Sequence, residues 1–165
     1  MMKRVLSYLI IFFNALLLVL VLFHDQLELP ALIQAGGRTH PLLLHLPIAL
    51  VLMVAVVWFS RNKLGEVVIR KIFPGLLGLS AVLTVLSAVA GVALSTEEGY
   101  EGVVLYRHMN LGTVLSIVTA LQFFWSTSER MREKGFTLLT LVAVVAVTWT
   151  GHLGSVITHG EGFLT

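Results

Sequence analysis

The chain has no cysteine among its 165 residues, and charged side chains make up only 12% of them. The lack of cysteine excludes disulfide bonds, thiolate metal sites, iron–sulfur clusters and haem attached through a Cys-x-x-Cys-His motif. Any metal must therefore be held by histidine, methionine or oxygen ligands. The scarcity of charge excludes an ordinary soluble domain, since 57% of the residues are hydrophobic and the mean hydropathy is +0.93.

Five apolar stretches are each long enough to cross the hydrocarbon core of a membrane, which needs about 20 helical residues. They cover residues 5–23, 42–59, 72–94, 108–125 and 136–157. Thr39 is expected to cap the second helix, and Pro47 is expected to kink it. Because short polar loops separate the stretches and no internal repeat is evident, we expect an all-α integral membrane protein with five transmembrane helices in a single domain, residues 1–165.

Basic residues are distributed unequally between the two sides of these five spans. Nine of the eleven lie on one side, namely Lys3, Arg4, Arg61, Lys63, Arg70, Lys71, Arg130, Arg132 and Lys134. Since lysine and arginine favour cytoplasmic loops, we expect a cytoplasmic N-terminus and a C-terminus on the outer side of the membrane. The same bias accounts for the net charge of +2, so nucleic-acid binding is not expected.

All six histidines fall on the outer side of this predicted topology. They are His24, His40, His45, His108, His152 and His159. A helical rise of about 1.5 Å per residue places His45 and His152 in a deeper layer, and His40, His108 and His159 near the interface. A neutral imidazole in hydrocarbon needs partners for its donor and its acceptor, so the deeper pair favours a ligand role.

Two histidines on facing helices, with glycines beside them, suit a b-type haem, whose iron takes one axial imidazole from each side. Glycines flank His152, and Gly112 lies one turn from His108. We therefore predict that His45 and His152 ligate one haem. His108 with His159 or His40 would ligate a second haem closer to the surface.

A zinc or copper ion in a three-histidine site is the competing interpretation of the same cluster. It ranks lower because the deeper layer has no carboxylate and no helix carries a His-x-x-x-His pair. Arg38 and Arg107, the only outer basic residues, are predicted either to pair with haem propionates or to pair with neighbouring acids and lipid headgroups. His24 ends the first helix, where we expect a solvated or snorkelling side chain.

The histidines lie in three longer motifs, HPLLLHLPIAL at 40–50, GYEGVVLYRHMNLG at 99–112 and TGHLGSVITHGE at 150–161. These motifs resemble a family of bacterial membrane domains, of undefined function, that are often fused to or encoded beside periplasmic cytochrome c modules. The resemblance covers residues 38–165 and makes the first helix an addition to a four-helix core. It implies a bundle with haem b at its outer end. The matched histidines are His40, His45, His108, His152 and His159.

The residues and the resemblance together predict a non-catalytic electron-transfer subunit in the cytoplasmic membrane of a bacterium. It would hold one or two b haems near the outer leaflet, since ligation by two imidazoles leaves no open position on the iron for oxygen chemistry. Its partner would be a c-type cytochrome or a larger respiratory or photosynthetic complex. The alternatives are a structural subunit without a cofactor and a metal-binding enzyme or transporter component.

Overall fold

The computed structural model describes residues 2–126 and 133–160, and every regular element in these ranges is helical. Seven α-helices occur there: α1 (Met2–Leu22), α2 (Ala31–Gly37), α3 (His40–Leu43), α4 (His45–Phe59), α5 (Phe73–Leu94), α6 (Val103–Ser126) and α7 (Glu133–His159). A 3-10 turn, His24–Gln26, follows α1, and a π-helical turn, Val68–Ile72, leads into α5. The predicted all-α fold is thus confirmed for the described residues.

Four helices are each long and apolar enough to cross a membrane alone, namely α1, α5 with its π-helical turn, α6 and α7. The pair formed by α2–α3 and α4, bent by 40°, is a fifth candidate span. Helices suit a bilayer because they satisfy every backbone polar group internally. The number of inserted spans and their orientation stay predictions from the sequence. Arg130 and Arg132, which support that orientation, lie outside the described residues.

The apolar runs located the long helices but missed some of their ends. Helix α6 begins at Val103 rather than at residue 108, and α7 begins at Glu133 rather than at residue 136. Backbone hydrogen bonding continues past the apolar run, so polar residues such as Arg107 are helical as well. Helix α2 was not predicted, although Pro30 directly before it is a residue suited to a helix start.

The second predicted span is interrupted at Leu44, between α3 and α4. Pro47 has no N–H to donate to the carbonyl of Leu43, and its ring crowds that turn, so the predicted kink is present. The predicted cap at Thr39 is wrong. Its hydroxyl donates to the carbonyl of Gly36 at 2.7 Å, because its backbone is already helical whereas a capping residue is extended.

Helices α4, α5, α6 and α7 form a four-helix bundle: α4 and α6 each pack against both α5 and α7. Helix α1 packs on the outside of α5 and α6, where its Ile10 and Leu17 are buried. Within this contact the hydroxyl of Ser116 donates to the amide oxygen of Asn14 at 2.9 Å. The N-terminal helix is therefore an integral part of the packed body.

The two ends of the bundle differ in chemistry. We call one the basic end; its described basic residues are Lys3, Arg4, Arg61, Lys63, Arg70, Lys71 and Lys134. Trp58, Phe73 and Phe136 pack against one another there and close the core. We call the opposite end the histidine end; it holds His24, His40, His45, His108, His152 and His159. A cavity lies between the helices at the histidine end.

Candidate functional site

A cavity of about 450 Å³ lies at the histidine end, lined by residues of α3, α4, α5, α6 and α7. Ile48, Leu115 and Val147 line it at the depth where α4, α6 and α7 pack directly together, and they form its floor. The volume falls within the range of roughly 300–1,000 Å³ that is usual for cofactor pockets. Its mostly apolar walls and few polar groups suit a largely apolar ligand that polar side chains hold at one point.

His40 of α3 and His108 of α6 approach each other in this cavity. Their ring centres are 6.1 Å apart, and the ring planes are inclined at 82°. An iron ion that binds one imidazole nitrogen on each side at about 2.0 Å holds the two ring centres about 6 Å apart. The spacing of this pair therefore fits two axial ligands of one iron.

Each of these two rings is oriented by a backbone carbonyl of a neighbouring helix. The Nδ1 of His40 lies 2.8 Å from the carbonyl oxygen of Ser87 on α5, and the Nδ1 of His108 lies 2.9 Å from that of Thr150 on α7. Because a carbonyl only accepts, both Nδ1 atoms carry a proton, which leaves the lone pair on Nε2 when the ring is neutral. A histidine that ligates a metal through one ring nitrogen commonly donates a hydrogen bond from the other, as Nδ1 does in both rings here.

Glycines allow the rings to lie this close to the neighbouring helices. A Cβ at Gly91, one turn after Ser87, would be 2.9 Å from Cε1 of His40. A Cβ at Gly154, one turn after Thr150, would be 3.2 Å from Cε1 of His108. The same unit, a histidine ring over a carbonyl and the glycine four residues later, thus occurs twice. We call the two units the histidine cradles.

Open space adjoins the pair as well. Gly112 and Gly151 both line the cavity, and a Cβ built at either one would meet no atom within 4 Å. The hydroxyl of Thr150 is buried, and no hydrogen-bond partner for it exists among the described residues. Two imidazoles with available Nε2 atoms, a slot bordered by glycines and an unpaired hydroxyl together fit a flat, metal-bearing group such as haem b.

The structure does not bring together His45 and His152, the pair predicted from depth. His45 lines the cavity and is exposed. His152 does not line it: the ring is exposed and lies 5.9 Å from the ring of Trp149. Thr150 and Gly154 face His108, and two residues along a helix correspond to about 200°, so His152 between them points to the opposite face of α7.

The other predicted site residues have varied positions. His159, at the end of α7, lines the cavity and is exposed. The guanidinium of Arg38 pairs with the carboxylate of Glu97 at 2.9 Å, which is the contact with a neighbouring acid that the sequence left open. Arg107 is exposed on α6, and neither arginine lines the cavity. Their interaction with propionates stays a prediction.

His24 is the polar residue whose surroundings the sequence did not reveal. Its side chain is only 11% exposed, with Nε2 2.9 Å from the hydroxyl of Ser95 and Nδ1 3.3 Å from the carboxylate of Asp25. The expectation of a solvated end residue is therefore wrong. The covering residues come from α6 and from the end of α5, far away in the sequence.

The three-histidine zinc or copper site has no counterpart in residues 2–126 and 133–160, where no three His, Asp or Glu side chains are grouped closely enough to hold a metal ion. Two facing imidazoles suit haem better than a bare ion, because the porphyrin supplies the other four ligands. Comparisons of the chain with protein-family models, with curated proteins and with solved structures gave no match.

Proposed function

We propose that the chain is a membrane-bound b-type cytochrome subunit that holds one haem between His40 and His108 and transfers electrons at the outer side of a bacterial cytoplasmic membrane. The observation that carries the proposal is the pair of histidine cradles. Each cradle fixes a ring by its Nδ1 proton, and the two ring centres are 6.1 Å apart. A structural histidine would also need an acceptor for its N–H, so the proposal depends on the two supported rings facing each other across one cavity.

Bound haem would supply a one-electron change of its iron, and the chain's residues would determine how that change is used. His40 and His108 would both ligate that iron, which would leave no open position for oxygen or a substrate and would favour electron transfer over catalysis. The carbonyls of Ser87 and Thr150 would hold the two rings in place while the iron changes its oxidation state, which would keep the reorganisation energy of electron transfer small. Apolar residues such as Ala88, Val92 and Met109 line the cavity and limit its water content.

The partner that we propose is a c-type cytochrome or another subunit of a membrane redox complex. Several residues that line the cavity, including Pro41 and His45, are exposed, so the cavity reaches the surface of the bundle. Glu98 and Glu101 lie exposed in the α5–α6 loop at the same end. Exposed carboxylates of this kind steer a partner with a basic face and speed its encounter at low salt.

The first test is an absorption spectrum of the purified protein. We expect a Soret band that sharpens on reduction and a pyridine haemochrome of the b type, with about one haem per chain because one haem takes two axial imidazoles. A colourless preparation with a normal helical circular dichroism spectrum would leave a structural subunit as the better interpretation. Stoichiometric zinc or copper without haem would favour the metal-binding alternative.

The second test assigns the ligands. His40→Ala and His108→Ala should each lose most of the haem, because one axial bond and its cradle disappear. His152→Ala is the matched control, since it removes an exposed imidazole that does not line the cavity, and it should keep the haem. The opposite pattern, with loss in His45→Ala and His152→Ala and retention in the other two, would overturn the assignment in favour of the pair predicted from depth.

A further inference from the structure

Beside the histidine cradles, a hydrogen-bonded chain joins the exposed surface to the wall of the cavity. Asp25, whose side chain is 74% exposed, lies 3.3 Å from Nδ1 of His24. The Nε2 of His24 lies 2.9 Å from the hydroxyl of Ser95, which is buried and lines the cavity. Three side chains therefore connect the aqueous face to the site that we propose for haem.

The hydroxyl of Ser95 has a choice of partners. It lies 2.8 Å from the carbonyl of Val92 and 3.4 Å from the sulfur of Met109, in addition to its contact with His24. When the hydroxyl donates to the carbonyl of Val92, its oxygen can accept a hydrogen bond from an N–H at Nε2 of His24. When the hydroxyl turns towards His24, it donates to a deprotonated Nε2. The site thus accommodates both protonation states of the imidazole without a change of backbone.

The outer end of the hydrogen-bonded chain places an anion beside His24. The phenol of Tyr106 donates to the carboxylate of Asp25. That hydrogen bond, and after it the one from His24, holds the pKa of Asp25 below its ordinary value, so this carboxylate is an anion at neutral pH. Within the described residues, Asp25 and Tyr106 are the titratable groups in contact with His24, and Glu101 acts electrostatically on Tyr106.

We propose that His24 is a redox-linked proton site, so that the subunit takes up one proton from the outer aqueous phase for each electron that enters its cavity. This inference rests on the proposed cytochrome function. An electron from a one-electron carrier would reduce the bound group, and a proton from the outer aqueous phase would convert the neutral imidazole of His24 to imidazolium. The electron then passes to the next carrier, and the proton returns to the water. The positive charge of the proton thereby balances the negative charge of the electron while both are bound.

The coupling follows from reciprocity between the two binding events. A positive charge on His24 favours an electron in the neighbouring cavity, and by linkage an electron in the cavity strengthens proton binding at His24 to the same extent. The apolar walls around Ser95 weaken dielectric screening between the two sites. The reduction potential should therefore fall as the pH rises, because protons become less available to accompany the electron.

The test is a redox titration of the haem-loaded protein between pH 5.5 and 8.5, followed by the absorbance of the reduced form. We expect the midpoint potential to fall with rising pH in the wild type. His24→Gln should remove most of that dependence and leave the absorption spectrum unchanged, because glutamine cannot take up a proton in this range. His152→Gln, the same substitution at an exposed position outside the cavity, should keep the wild-type dependence.

A second variant keeps the imidazole in place. Asp25→Asn removes the anion beside Nδ1, which weakens proton binding at His24 and should move the pH-dependent range to lower pH. A b-type spectrum with a potential that does not vary with pH, or full pH dependence in His24→Gln, would overturn the proton site and leave the cytochrome function intact. A protein that binds no haem would overturn both.

Discussion

At the scale of single residues, the glycines of the histidine cradles do more than provide room. Gly91 and Gly154 let an imidazole lie directly over a helix backbone, where the carbonyl one turn earlier can accept its Nδ1 proton. A larger residue would push the ring away from that carbonyl. The tautomer of the ring and its position thus depend on the absence of one methyl group.

Gly91→Ala tests this directly. The new Cβ would lie 2.9 Å from Cε1 of His40, too close for contact, so the ring must move and haem affinity should fall roughly 10- to 100-fold, as for other lost supports of metal ligands. Gly75→Ala is the matched control on the same helix, because its Cβ would meet no atom within 4 Å. Equal haem affinity in both variants, measured by haem titration, would contradict the cradle.

The sequence predicted which histidines share one end of the molecule but not which two face each other. The depth of each histidine follows from the helical rise, and depth alone predicted that His45 and His152 form the pair. The direction in which a side chain points depends on the rotation of its helix. Contacts between distant segments fix that rotation, such as those of Thr150 and Gly154 with His108. The partners of the imidazoles are backbone carbonyls, which leave no mark in the sequence.

At the scale of secondary-structure elements, the break between α3 and α4 positions one of the two ligands. His40 lies one turn before the break at Leu44, on a segment bent by 40° from α4. His40 lies four residues, or about 6 Å of helix, from the break, so a bend of this size displaces it by about 4 Å from its position in a straight helix. That displacement is large compared with the tolerance of a coordination bond.

Pro47→Ala is expected to straighten this span. The alanine N–H restores the missing hydrogen bond to the carbonyl of Leu43, so α3 should align with α4 and carry His40 away from His108. We expect weaker haem binding and loss of the low-spin ferric signal of bis-imidazole ligation in electron paramagnetic resonance. Pro30→Ala is the control, because Pro30 directly precedes α2, where a backbone N–H would have no helical hydrogen-bond partner. An unchanged signal in Pro47→Ala would show that the bend does not position the ligand.

The long helices were easier to predict from the sequence than the short elements that connect them. Long apolar runs identify α1, α5, α6 and α7 because a span needs about 20 such residues, and Pro47 identifies the kink. Helix α2 was missed because its seven residues, Ala31–Gly37, are too few for a span, and it is held by packing against α5. Short elements of this kind depend on tertiary contacts more than on local pattern.

At the scale of the whole molecule, the position of the cavity relative to the membrane decides which partners can reach it. The histidine end and the basic end lie at opposite ends of the same bundle, so a single orientation places the cavity either outside or in the cytoplasm. The bias of lysine and arginine predicts the outer side. This choice lies beyond what helix packing determines, because the same bundle is stable in either direction.

The absence of cysteine makes this orientation directly measurable, since any introduced thiol is unique in the chain. Lys63→Cys, in the exposed loop after α4, and Glu98→Cys, in the exposed loop between α5 and α6, place that thiol at the basic end and the histidine end, respectively. In intact spheroplasts a membrane-impermeant maleimide should label Glu98→Cys and should label Lys63→Cys only after permeabilisation. The reverse pattern would place the cavity in the cytoplasm, where a periplasmic c-type cytochrome could not be its partner, whereas His40 and His108 would keep their geometry.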